Sequence, residues 1–302
     1  MLAVVFLKKH GENDELGFVY FVGSKALAMR LIASLVLLYT NLLFGQNDSN
    51  VHSFTLHSTI LKEDRFFQIY IPSSSKGKLD VIYVLDGQAQ FSTVLNILKK
   101  DVKAEEIIVG IGNIWLRDRD YTPSRVHPSH FADTTAAKIS GGGENFIRHL
   151  EKELIPYVNE HYPVSNSRVL IGHSLGGLIA IEILLKHTAL FNKYAAIDPS
   201  LWWDEGKLLK SSKELLKKSY PDVSFFLAIA NTRNKDKPTI EAIKQDSSES
   251  TALIRPSTIF LDYLNEASKN NLTYTWKYYK DSEHMTVFQP AVADALRFLL
   301  QE

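Results

Sequence analysis

The stretch Arg168-Val-Leu-Ile-Gly-His-Ser-Leu-Gly-Gly-Leu-Ile-Ala-Ile-Glu-Ile-Leu-Leu185 decides the fold. It reads as a short β-branched strand, then Gly172-His173-Ser174-Leu175-Gly176, then an apolar helix. A serine on so sharp a strand-to-helix turn has its oxygen exposed at the strand's carboxyl end, the layout of a nucleophile elbow. Gly172 and Gly176 are expected to make room where the backbone crosses itself and a Cβ would clash. A helix beginning near Leu175 also brings unpaired N–H groups and the positive end of its dipole beside the serine.

Outward from this motif, strand-like and helix-like runs alternate. Phe54–Leu61 and Phe66–Pro72 suggest an opening antiparallel pair joined by a turn at residues 62–65. Val81–Leu85, Ile107–Ile111, Val169–Ile171, Tyr194–Ile197, Val223–Ala230 and Tyr274–Tyr279 suggest strands, several with the continuous apolar character of strands buried on both faces. Phe91–Lys99, Glu144–His161, Leu178–Lys186, Leu208–Lys218, Arg255–Lys269 and Gln289–Leu300 have helical patterns. This alternation predicts an α/β class, a mostly parallel sheet covered by helices on both faces, in one domain. Residues 112–143 form the longest irregular stretch, expected to be a functional rim or lid.

The composition narrows the function. Thirty-four Lys+Arg balance 34 Asp+Glu among 302 residues, so the chain lacks the basic excess expected of a nucleic-acid binder. Cysteine is absent, which removes disulfides, thiol nucleophiles and Cys-ligated metals from consideration. Near the start, Met29-Arg30 precedes the 14-residue apolar run Leu31–Phe44 and then Gly45, the layout of a secretory signal peptide. That run is short for a bilayer span, and residues 1–28 are too acidic for its leading segment. The expectation is a start at Met29, with residues 1–45 an extension and signal peptide and residues 46–302 the functional domain. Such a protein would be exported to the periplasm or beyond, without a stable membrane anchor.

A serine nucleophile needs a base. In strand–elbow–helix folds the base follows the serine in the chain, leaving His187 and His284. His187 lies 13 residues along the following helix, roughly 20 Å away at about 1.5 Å per residue. His284, after the last strand, can return to the elbow; His173 is expected to pack beneath it. The supporting carboxylate is sought in the loop after the preceding strand, where Asp236 is first choice, with Glu241 and Asp198 as alternatives or a bare Ser–His dyad. The oxyanion hole is assigned to the backbone N–H groups of Gln88 (or Gly87) and Leu175. Gly141-Gly142-Gly143 reads as the lead into the long helix rather than an oxyanion loop. Trp202, Trp203 and Tyr121 are candidate pocket walls, and Arg119 and Arg117 candidate contacts to an anionic substrate, with salt bridges to neighbouring aspartates as the ordinary alternative. His127, His130 and His149 have a spacing that could ligate, but no metal or other cofactor is expected.

Together with Tyr83-Val-Leu-Asp-Gly-Gln88, Arg119-Asp-Tyr-Thr-Pro123, Asp198-Pro-Ser-Leu-Trp-Trp203 and Glu283-His284, the elbow makes the chain resemble the putative-esterase family of α/β-hydrolases, which includes ferric-siderophore (enterochelin-type) esterases, over residues 52–301. The resemblance implies the α/β-hydrolase fold and a serine carboxylic-ester hydrolase acting on a small ester such as a siderophore or acylated-carbohydrate ester. The chain departs from it at Asn231, since relatives often place a glutamate close behind that strand. A non-catalytic binding protein, a thioesterase and an acyltransferase are the competing expectations on the same scaffold.

Overall fold

A computed structural model describes residues 49–73, 77–113, 115–128, 134–232, 239–267 and 270–301. The expected signal segment therefore lies outside the described residues. The compact unit that contains the sheet begins at Asn50, and no helix among the described residues is long and apolar enough to cross a membrane.

Eight strands form one sheet: β1 (Val51–Ser58), β2 (Glu63–Tyr70), β3 (Leu79–Leu85), β4 (Ile107–Ile111), β5 (Val164–His173), β6 (Lys193–Ile197), β7 (Ser224–Ala230) and β8 (Thr273–Tyr279). Their order across the sheet is β1-β2-β4-β3-β5-β6-β7-β8, and β2 alone runs against the others. With the flanking helices this is the α/β-hydrolase architecture that the sequence leads one to expect.

Side chains alternate across the central strands. Tyr83 and Leu85 of β3 face one buried layer with Leu170, Tyr194 and Phe225, whereas Ile82 and Val84 face the other with Val169, Ile171 and Ala195. Helices α4 (Gly143–His149), α5 (Ile155–His161), α6 (Leu175–Lys186) and α9 (Arg255–Glu266) supply the first layer. Helices α1 (Gly87–Ile97) and α10 (Phe288–Leu299) supply the second. Helix α7 (Trp203–Leu215) contains a left-handed turn at Asp204, Glu205 and Gly206, so its regular part starts near Leu208, where the apolar spacing predicts a helix.

The opening hairpin is shifted from its expected place. Residues 59–62 make the turn and Lys62 is left-handed, φ 58°. The Glu153 carboxylate fixes that turn by accepting hydrogen bonds from the Thr59 and Ile60 N–H groups and from the Ser58 and Thr59 hydroxyls. Glu63 and Arg65, whose charge suggested a turn, belong to β2 instead. Arg65 is buried and paired with Asp120 at 2.7 Å. Residues 112–143, expected to be a rim or lid, hold regular structure where they are described. Short helices α2 (Arg117–Asp120) and α3 (Thr134–Ile139) lie within them, and Asp120, Tyr121 and Thr122 are buried.

Candidate active site

Because β3 to β8 are parallel, the loops that follow them emerge at one edge, where α/β sheets place their ligands. All six of those loops supply the polar groups described below.

Ser174 lies between β5 and α6 at φ 62°, ψ −119°, a strained conformation for a residue with a side chain. Three hydrogen bonds hold it: its N–H donates to the Ile197 carbonyl at 3.0 Å, and its own carbonyl accepts from Leu178 at 3.0 Å and Ser200 at 3.1 Å. A Cβ on Gly172 would lie 2.1 Å from the Gly176 carbonyl oxygen, so the crossing requires glycine there. At Gly176 the sequence expectation needs correcting. A Cβ there would meet nothing closer than Leu85 at 3.5 Å, an ordinary contact, because it is the backbone of Gly176, not space for its side chain, that the crossing uses.

The Ser174 Oγ lies 3.0 Å from Nε2 of His284, and His284 Nδ1 lies 2.6 Å from the Asp198 carboxylate. With Nδ1–H donated to Asp198, Nε2 is left as acceptor for the serine hydroxyl. Among the described residues, the carboxylate on the histidine is that of Asp198 in the loop after β6, one of the expected alternatives; Asp236, the first choice, lies outside the described residues. Glu241 sits in helix α8 (Ile240–Gln245), exposed to solvent. Asp198 has φ 43°, and its carboxylate also accepts the Ala230 N–H at 3.0 Å and the Thr232 hydroxyl at 3.3 Å. Asn231, in the loop after β7, pins the histidine loop: its N–H and side-chain amide donate to the Ser282 and Lys280 carbonyls, each at 2.8 Å.

His173 does pack beneath the elbow. Its ring is 4.5 Å from that of His284, and Nε2 is 2.8 Å from the His284 carbonyl oxygen, so a neutral ring donates to it. Burial, then the adjacent His284, pushes the His173 pKa down to about 4. His187 stays on the far end of α6, 3.6 Å from Glu144.

The other flank is the turn after β3. Asp86 is left-handed at φ 55°, and a Cβ on Gly87 would lie 2.5 Å from the Gly110 backbone. Gln88, in the first turn of α1, and Leu175, the first residue of α6, have N–H groups without intrahelical acceptors, as an oxyanion hole requires. The Gln88 side chain accepts the Asn113 N–H at 3.0 Å. Arg117 joins the two contributors, donating to Asp86 at 2.8 Å and to the His173 carbonyl at 3.3 Å. It is thus occupied in the structure rather than turned to a substrate. Gly142 and Gly143 donate to the Arg119 and Thr122 carbonyls at the start of α4, a structural lead into the helix.

A cavity of about 310 Å³ opens beside Ser174 and His284. Pro199, Trp202, Leu253, Ile254 and Met285 give it apolar walls, while Ser200, Thr232 and Glu283 add polar groups. Of the expected pocket residues, Trp202 alone lines it. Trp203 is buried, its indole N–H donating to the Ser124 carbonyl at 3.0 Å. Tyr121 is buried beneath the Asp86 turn, its hydroxyl accepting the Asp86 N–H at 3.0 Å; burial, then the Asp86 charge, raises its pKa well above the usual tyrosine value. Arg119 is held by Glu63 at 2.6 Å and Asp120 at 2.7 Å. These corrections share one cause: large side chains with polar ends near the sheet edge are drawn into bonds within the fold. His149 bonds Glu153, and His130 lies outside the described residues; no cluster of three or more metal-ligating side chains occurs among the described residues.

The family described as "Putative esterase" matches residues 58–298. Ferri-bacillibactin esterase of Bacillus subtilis is 25% identical over 84% of this chain and 93% of its own length. A siderophore triacetylfusarinine C esterase of Aspergillus fumigatus is 32% identical over 46% of this chain and 50% of its own length. Among solved structures, an IroE-like serine hydrolase from Shewanella oneidensis aligns with a TM-score of 0.73 and 31% identity, covering 82% of this chain and 79% of that one.

Proposed function

The chain belongs to the Putative esterase family and is a serine carboxylic-ester hydrolase, and from that premise we propose that Ser174, His284 and Asp198 are its catalytic triad and that its substrate is a siderophore ester. The observation that carries the assignment is the continuous hydrogen-bonded line from Asp198 through His284 to Ser174 at the open cavity. Two relatives named as siderophore esterases support the substrate class.

In this mechanism Ser174 Oγ attacks the ester carbonyl carbon while His284 Nε2 takes its proton. The Gln88 and Leu175 N–H groups stabilise the negative oxygen. The bond to the alcohol then breaks, and His284 returns the proton to the departing alkoxide. A water, deprotonated by the same nitrogen, attacks the acyl-enzyme; the acid leaves and Ser174 Oγ regains a proton. Asp198 holds the histidine's tautomer and stabilises its charged form. The cavity beside the serine accepts one half of the ester.

The proposal includes export with cleavage near Gly45, supported by the apolar run after Met29-Arg30. One experiment addresses all of it. The protein purified from its native cell is sized by mass spectrometry to find its N-terminus, then assayed on catecholate siderophore esters, acetylated sugars, feruloyl esters and p-nitrophenyl acetate beside Ser174→Ala. The expected result is a chain lacking residues 1–45, highest kcat/KM on siderophore esters, and a loss of at least about 10³-fold in the variant. Retention of residues 1–28 overturns the export reading. Preference for another ester overturns the substrate, and equal turnover by Ser174→Ala overturns the nucleophile.

A further inference from the structure

The loop after β6 delivers Asp198 to the histidine, and two residues later it delivers a second hydroxyl to the serine. Ser200 Oγ lies 3.3 Å from Ser174 Oγ, in a residue that is only 3% exposed yet lines the cavity. Its position is fixed by the backbone: the Ser200 N–H donates to the Ser174 carbonyl at 3.1 Å and the Trp203 N–H donates to the Ser200 carbonyl at 3.0 Å. The direction of the hydroxyl contact follows from proton inventory. Ser174 has one hydroxyl hydrogen, and His284 Nε2, an acceptor, claims it at 3.0 Å. The contact between the two serines therefore has Ser200 as donor and a lone pair of Ser174 Oγ as acceptor.

We propose that Ser200 is a further catalytic residue, whose hydroxyl donates to Ser174 Oγ and stabilises the electron density that builds on that oxygen. The inference rests on Ser174 being the nucleophile. During acylation the Oγ–H bond breaks towards His284 as the Oγ–carbon bond forms, and an excess of charge passes through Oγ. During deacylation the Oγ–carbon bond breaks, its electron pair stays on Oγ, and the proton comes back from His284. The Ser200 hydroxyl keeps its own proton throughout; it contributes a hydrogen bond that shortens as Oγ becomes more negative. At 3.3 Å the resting contact is longer than the usual 2.7–2.8 Å of an O–H···O bond. It is therefore weak in the ground state and gains strength in the transition state, the condition for raising kcat rather than tightening substrate binding.

The test compares Ser200→Ala and Ser200→Thr with wild type. Both variants retain the Ser200 backbone bond to Ser174; alanine removes the hydroxyl, and threonine keeps it and adds one methyl group. Titration to completion with an alkyl fluorophosphonate counts the competent Ser174 sites, and rates are expressed per titrated site, so partial misfolding does not register. For Ser200→Ala the expected result is a fall in kcat of about tenfold with KM within twofold, recovered to within about threefold by threonine. An unchanged kcat per site in Ser200→Ala overturns the proposal, as does a loss carried by KM or one that threonine leaves in place. Failure of the underlying reading has a different signature: turnover would survive in Ser174→Ala whatever stands at position 200.

Discussion

Asp198 reaches His284 from a left-handed backbone position that costs energy for any residue with a Cβ, and the bonds its carboxylate makes compensate. One oxygen takes the Ala230 N–H at the end of β7, so the aspartate of one strand is held by the neighbouring strand. Where the resemblance leads one to expect a glutamate close behind β7, Asn231 stands in that loop and fastens the histidine loop. Both loops reach His284 because β6 and β7 are adjacent parallel strands. An amide at 198 would present a donor or the wrong acceptor to Nδ1 and favour the unproductive tautomer. Asp198→Asn is expected to lower kcat on the order of 10³–10⁴-fold, measured in steady state, while Asp236→Asn stays within about threefold. The reverse ranking would return the acid to the loop after β7. Ser174 and His284 were legible in the sequence because chain order and local pattern define both. The acid was not, since three carboxylates stood in loops that the sequence cannot place relative to one another.

At the level of elements, the elbow is a contact between the end of β5 and the first turn of α6, and its two glycines are unequal. Gly172 faces a carbonyl oxygen that a Cβ would overlap; Gly176 has room for one beside Leu85. Alanine also suits a helix better than glycine, by up to about 1 kcal/mol in the interior and less in a first turn. Gly172→Ala is thus expected to lower Tm by at least about 5 °C or to prevent folding, whereas Gly176→Ala should melt within about 2 °C of wild type. Differential scanning calorimetry distinguishes them, and equal losses would show that the crossing needs glycine at both places. Element types could be read from periodicity, but the hairpin could not be placed. Its turn is set by Glu153, about 90 residues away in sequence, which satisfies the turn's N–H groups.

Across the whole molecule, buried and half-buried ionic contacts tie the hairpin to the body. Glu63 meets Arg119, Arg65 meets Asp120, and Glu153 links the β1–β2 turn to His149. Burial opposes ionisation of Glu153, but hydrogen bonds from His149, Ser58, Thr59 and Ile60 outweigh it and bring its pKa down to about 2. The unfolded carboxylate titrates near 4.5. Its stabilising contribution is therefore complete above that pH and is lost as pH falls towards 2. His173, neutral in the fold to about pH 4, adds a loss at higher pH: between about 6.5 and 4 the unfolded chain binds a proton there that the native state does not. Tm should consequently fall from about pH 6.5 downwards. Glu153→Gln should melt below wild type at pH 7, with the gap closing as pH drops from about 4.5 to 2. Parallel melting curves across that range would mean that Glu153 carries no pH-dependent stability. The sequence by itself determined the alternation of strands and helices, the elbow, and Ser174 and His284 as candidate nucleophile and base. Those features follow from local sterics, hydrophobic periodicity and chain order. Only the tertiary structure decided that Asp198 meets the histidine, that Ser200 meets Ser174, and that Tyr121, Trp203 and Arg119 are held in bonds within the fold. Each depends on which loops the parallel sheet brings to one edge, and partners such as Asp198 and His284, 86 residues apart, are chosen by that convergence.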